Sequence, residues 1–322
     1  MRTIRVSAAF IAVMLCAAGV AWSQAYPARP VRVIIPFPPG GANDIVGRLV
    51  LPKVSEQMGQ QFIIDNRTGA GGSIGTAVVA QSKPDGYTLL IQTTASHVSN
   101  AHLYKNLPYD AMRDFVGITP IARLPGVLTV HPSLPARSAK EFIALAKKRP
   151  KEILFGHAGY GSFVHLSAVL LESATNIRVT EIPYKGGGPA VVGLVSGETH
   201  AMIAGIGDII EHIKAKRVRA LGVTSLDRFK QLPDVPAIAE TFPGFESETW
   251  VSLLAPAGIP KPIIDQLNAE FGTATRDPEV ASKLSSVTYD PVHKTPEELA
   301  QRLKADYDKV GKVFRQFGVK LD

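Results

Sequence analysis

Three segments of the chain share one grammar: a strand-like run, a glycine-rich turn, then a helix start. They are IIPFPPGGAND (34–44), LFGHAGYGSFVHL (154–166) and IPYKGGGPAVV (182–192). A helix N-terminus presents backbone N–H groups that have no partner within the helix, at the positive end of its dipole, so it attracts an anion. Glycine lets that backbone come close to a ligand. One such turn is ordinary chain reversal, but three of them point to a clamp for an anionic group. Asp44 then has two readings. In the first turn of a helix it complements the dipole; beside a ligand it accepts from an amino or hydroxyl group and would favour a ligand of mixed polarity. Lys185, just before the triple glycine, is either a partner for a carboxylate or a solvated loop lysine.

Other chemistries fit less well. No G-x-x-x-x-G-K-[ST] is present, Gly69, Gly71 and Gly75 miss the dinucleotide spacing by one residue, and Val164 stands where a third glycine would follow Gly159 and Gly161. Gly71-Gly-Ser73-Ile-Gly75 matches the G-x-S-x-G nucleophile elbow between a strand and a helix. A hydrolase using Ser73 would need a later histidine, and the last third of the chain offers His293, in a Pro-Val-His-Lys setting that reads as a surface loop. His97 with His102, and His157 with His165, lack a carboxylate or cysteine at ligand spacing, so neither pair reads as a metal site. Neither a catalytic residue nor a cofactor is expected.

The elements that must hold these turns alternate between strand-like and helix-like, which predicts α/β lobes built on parallel sheets. Strands are expected at Val31–Pro36, Gln61–Asp65, Tyr87–Thr93, Leu124–Val130, Ile153–Phe155, Val179–Pro183, Val218–Thr224 and Thr249–Ala255. Helices are expected at Asn43–Met58, after Gly75 to about Gln81, from Ser138 to Lys148 behind a capping box, and at Phe163–Ser173, Pro189–Ser196, Pro262–Thr275 and Pro296–Phe317. Their order suggests lobe I at 26–122 plus 249–322, with lobe II, 123–248, inserted.

Composition narrows the partners. The 322 residues are 45% hydrophobic and 20% charged, which excludes a disordered chain, and Cys16, the single cysteine, excludes a disulfide scaffold. Residues 1–25 read as a secretory signal: Arg2 and Arg5, an apolar run Val6–Val20, then small residues at Ala21/Ser23 or Ser23/Ala25. Cleavage near Ala25 would lower the formal charge from +7 to +5 and remove the cysteine. Export to a periplasm, with scattered basic residues, argues against a nucleic-acid partner. The densest basic run, Lys147-Lys148-Arg149, ends a predicted helix, where it complements the dipole.

From Tyr26 onward the chain resembles the substrate-binding proteins of tripartite tricarboxylate transporters, the Bug or TctC-like family. The resemblance is carried by YPARPVRVIIPFPPGGANDIVGR, DNRTGAGGSIGTAVVAQSKPDGYTLL, LPYDAMRDFVGITPIA, GYGSFVHL, IPYKGGGPAVVGLVSGE, RALGVTS, LPDVPAIAE and LLAPAGIP. It implies a two-lobed periplasmic binding protein of the Venus-flytrap type, closing on a small organic acid or amino-acid-like ligand. It also implies integral membrane subunits of a tripartite transporter as partners, and a monomer is expected. By position, Phe37, Gly40, Gly41, Ala42 and Asp44 would hold a carboxylate, flanked by Thr93, Thr94 and Ser96. Gly159, Gly161, Ser162, His165, Tyr184, Lys185 and Gly186 would close from lobe II.

The family pattern often has Asn at the position of Ser73, which weakens the nucleophile reading. Two departures bear on the ligand: His157 replaces a common serine, and MIAGIGD (202–208) lacks the usual Asp-Asn and Ser-Pro character, placing Asp208 near the ligand's far end. An exported sensor that binds without transporting would leave the same sequence signature.

Overall fold

The computed structural model describes residues 26–319; the expected signal segment, with Cys16 and its cleavage site, lies outside them. In chain order the elements are β1 (Val31–Ile35), α1 (Ala42–Met58), β2 (Phe62–Asn66), α2 (Ser73–Ala80), β3 (Thr88–Thr93), α3 (Thr94–Leu103) and β4 (Phe115–Val130). Then come α4 (Ala139–Lys148), β5 (Leu154–His157), α5 (Phe163–Thr175), β6 (Thr180–Pro183), α6 (Gly187–Val195), β7 (Ala201–Gly205), α7 (Ile206–Lys214) and β8 (Arg219–Val223). The last are β9 (Glu248–Pro256), α8 (Lys261–Arg276), α9 (Pro278–Ser286), β10 (Asp290–Pro291) and α10 (Pro296–Phe317).

The strands run in the order β2-β1-β3-β9-β4-β7-β5-β6, with β8 and β10 also paired to β4. Two half-sheets meet in β4. Its first part, Phe115 to Pro125, pairs with β9, and its last part, Gly126 to Val130, pairs with β7 and β8. The expected lobe junction at 122/123 falls inside this strand, and the one at 248/249 falls at the start of β9.

The expectation of parallel sheets needs correction: β1, β2 and β3 are parallel, as are β5, β6 and β7, but β9 runs antiparallel to both β3 and β4. Chain returning from the second lobe re-enters the first sheet from the far end, so it can only run against its neighbours. Burial explains the apolar strand runs. Val31, Val33 and Ile35 belong to one core cluster and Ile34 to another, all four fully buried, so β1 is covered on both faces.

Six elements have no counterpart in the expected list: α3, the first half of β4, β7, α7, α9 and the two-residue β10. Two of them, α3 and α7, prove central to the site.

Candidate functional site

A cavity of about 600 Å³ opens between the two half-sheets, large enough for a small ligand. Five helices begin in its wall: the N-caps Gly41 of α1, Thr93 of α3, Ser162 of α5, Gly186 of α6 and Gly205 of α7 all line it. Their dipoles and free amides therefore converge on one volume.

Two of the five cap themselves. The Thr93 hydroxyl accepts from Ser96 N at 3.4 Å, and the Ser162 hydroxyl from His165 N at 3.2 Å. The glycine caps of α1, α6 and α7 supply no side chain, so their first amides stay available. In α1 the first intrahelical bond runs from Ile45 N to Gly41 O, which leaves Ala42 and Asn43 presenting N–H groups before it.

The α1 turn is braced from behind. Asp44 is buried; its Oδ2 accepts from Gly40 N at 2.9 Å and Arg48 Nε at 2.8 Å, and its Oδ1 accepts from Asn66 Nδ2 at 3.1 Å. The Asn66 amide also donates to Phe37 O at 3.0 Å, so one side chain ties both ends of the turn. Burial alone would raise the Asp44 carboxyl, but hydrogen bonds from Arg48, Gly40 and Asn66 outweigh it and hold its pKa below the usual range. Gly40 sits at φ +83°, a conformation that tight turn requires and other residues resist.

The turn between β5 and α5 rests on a different support. His157 and His165 are both fully buried, with ring centroids 4.9 Å apart. Gly161 N donates to His165 Nδ1 at 3.3 Å, which puts the ring proton on Nε2, 3.6 Å from Glu181 Oε1. Burial, then the neighbouring His157, push the His165 pKa down to about 3, and burial lowers His157 too. Both rings are therefore neutral at pH 7. Gly161 passes so close to α3 that a Cβ would lie 2.6 Å from Leu103 Cδ1.

Of the residues expected from sequence, Phe37, Gly40, Gly41, Ala42, Thr93, Ser96, Gly161, Ser162, Gly186 and Asp208 line the cavity. Asp44 and His165 lie behind the wall as described. Thr94 is buried behind it as well, accepting from Trp250 N at 3.2 Å and so locking α3 to β9. Gly159, Tyr184 and Lys185 are not among the lining residues, and Lys185 is exposed.

The lining also includes Asn43, Asn100, Tyr160, Thr249, Thr288 and Tyr289, which sequence reading missed. Asn100 lies on the unexpected α3. A Thr-x-x-Ser spacing at 93–96, an N-cap signal, was the available clue to that helix.

The Ser73 reading finds little support. Its hydroxyl donates to Ala70 O at 2.8 Å, and Asn100 Nδ2 donates to Gly71 O at 2.9 Å, so the glycine turn is a packed connection to α3. Among the described residues, no histidine is hydrogen-bonded to Ser73, and no cluster of three metal-ligating side chains occurs.

A two-lobed α/β fold with helix N-termini converging on an interlobe cavity defines the class of periplasmic solute-binding proteins. Residues 46–319 match the family described as tripartite tricarboxylate transporter family receptor, and the chain belongs to that family, in its Bug branch. A protein from Pseudomonas sp. (strain P51), described as the UPF0065 protein in the tcbD-tcbE intergenic region, is 40% identical over 91% of this chain and 88% of its own. Protein BugT of Bordetella pertussis is 35% identical over 97% of this chain and 98% of its own. Among solved structures, R. palustris Rpa4515 with adipate superposes with a TM-score of 0.81 at 34% identity, covering 92% of this chain and all of the other. MatC from Rhodopseudomonas palustris with bound malate gives 0.77 at 30% identity, covering 89% and 99%.

Proposed function

We propose that this protein is a periplasmic receptor that binds a small carboxylate-bearing molecule between its lobes and delivers it to the membrane subunits of a tripartite tricarboxylate transporter. The observation that carries the reading is the convergence of five helix N-termini on one cavity. A carboxylate seated against the α1 amides would take charge-assisted hydrogen bonds without any basic side chain. Each is worth about 1.5–3 kcal/mol, and a few of them reach the roughly −8 kcal/mol of a micromolar complex. The relatives solved with adipate and with malate are consistent with an organic acid here.

In this reading lobe I comprises residues 26–122 and 249–322, lobe II comprises 123–248, and closure of one on the other excludes water from the bound acid. The receptor acts as an exported monomer and needs no bond-making chemistry. Thermal melting of the exported chain with di- and tricarboxylates, aromatic acids and amino acids tests it. Binding to the folded state raises the melting temperature for at least one class. Flat curves across the whole panel would overturn the proposal.

A further inference from the structure

Among the described residues that line the cavity, the one charged side chain is Asp208, in the first turn of α7. It is exposed to the cleft, and neither a hydrogen bond nor an ion pair from the described residues reaches its carboxylate; the protein walls around it raise its pKa by desolvation. The carboxylate occupies space that two glycines leave open: a Cβ on either Gly187 or Gly205 would lie 3.1 Å from Asp208 Oδ2. It therefore sits beside the first residue of α6 and the N-cap of α7, and its charge already answers the positive ends of both helices. The contrast with Asp44 is direct, because Asp44 spends its charge on Arg48, Gly40 and Asn66 and leaves the α1 amides free.

The cavity is thus electrostatically two-ended. The α1 side offers amide donors to an anion, while the α6–α7 side offers an unpaired acceptor with no lysine, arginine or histidine in the lining to meet it. A second carboxylate placed there would face Asp208 with no cation in the lining between them, and like charges repel.

We propose that Asp208 is the specificity-determining residue of this receptor and that it selects a zwitterionic ligand, with a carboxylate at the α1 end and an ammonium group against Asp208. This rests on the receptor reading above and names its substrate class as amino acids rather than dicarboxylic acids. The Tyr289 hydroxyl, on the same wall, is a second polar group for that ammonium. Burial, then the Asp208 charge, hold the tyrosine protonated, with a pKa pushed up to about 12.

The test is isothermal calorimetry on the exported chain with α- and ω-amino acids, dicarboxylates of matched length such as adipate, and monocarboxylates such as hexanoate. At least one amino acid binds at least tenfold tighter than its matched dicarboxylate, and Asp208→Asn reduces that ratio at least tenfold while leaving monocarboxylate binding within about threefold. Asp208→Ser is measured alongside, and thermal melting of both free variants checks that they fold. Matched amino acids and dicarboxylates binding equally, or a preference unchanged in both variants, would overturn this inference and leave the receptor reading standing. Failure of the unaltered protein to bind any member of the panel would overturn both.

Discussion

The two principal turns of the cavity do the same job with opposite electrostatics. Gly40–Asp44 is pinned by a buried, ionised carboxylate whose acceptors are occupied, and the charge sits inside the wall. Ala158–Ser162 is backed by two neutral imidazoles, and among the described residues both ring nitrogens of His157 and Nε2 of His165 lack a hydrogen-bond partner. A fully bonded brace fixes one geometry, whereas an under-bonded aromatic backing holds its turn by packing. The α1 turn is built as a ready-made anion seat. The facing turn carries no charge of its own and leaves the polarity of its side to Asp208.

If that contrast is right, breaking the charged brace has the largest consequence. Asp44→Ala strands the Gly40 N–H and the Asn66 amide beside an empty site, and should cost about 2 kcal/mol in urea unfolding and weaken binding of any carboxylate. A change below about 0.5 kcal/mol would mean the turn does not depend on its brace.

Next comes the neutral backing. The His165 pKa in the folded chain, about 3, lies below its unfolded value of 6.5, so the unfolded state binds the proton first. Its contribution is complete above pH 6.5 and is lost as pH falls towards 3. His165→Gln should therefore cost about 1–2 kcal/mol at pH 7.5 from lost packing, yet lose less stability than the parent between pH 6.5 and 4. Parallel acid-unfolding curves would argue that the ring is protonated in place. Some acid sensitivity persists in the variant, because burial also lowers His97 to about 4. The smallest effect belongs to Lys185→Ala. Exposed and outside the lining, the residue should change ligand affinity less than twofold, and a loss of tenfold would place its ammonium in the ligand's reach.

Much of this was legible locally. The turns ending β1, β5 and β6 announce themselves because a strand run, glycines and a helix start are adjacent in sequence. What was not legible depends on distant chain. Helix α3 reads poorly because TASHVSNAHL is polar, and several of its bonds form only with chain outside the helix: Ala95 N donates to Thr249 Oγ1 on β9, His97 Nε2 pairs with Ala111 O, and Asn100 Nδ2 donates to Gly71 O. In β4, Pro120 and Pro125 interrupt a strand whose two halves take different neighbours. Segment 202–208, to which no element is assigned from the sequence, divides at Gly205 into the end of β7 and the start of α7. Tyr289 enters the cavity from a segment with no local signature of a site, and Tyr160, although inside one of the glycine turns, carries no signal that its side chain lines the cavity; both follow from how the two half-sheets face each other.

Strand β4 carries a consequence of its own. Sixteen residues of continuous backbone belong to both half-sheets, so neither half owns a complete set of strands. Exchanging one half for another would mean cutting a strand that is continuous through both, since its residues up to Pro125 pair with β9 and those from Gly126 pair with β7 and β8. Changes of diet must instead be written into the rim, one side chain at a time, while the beam beneath is inherited whole.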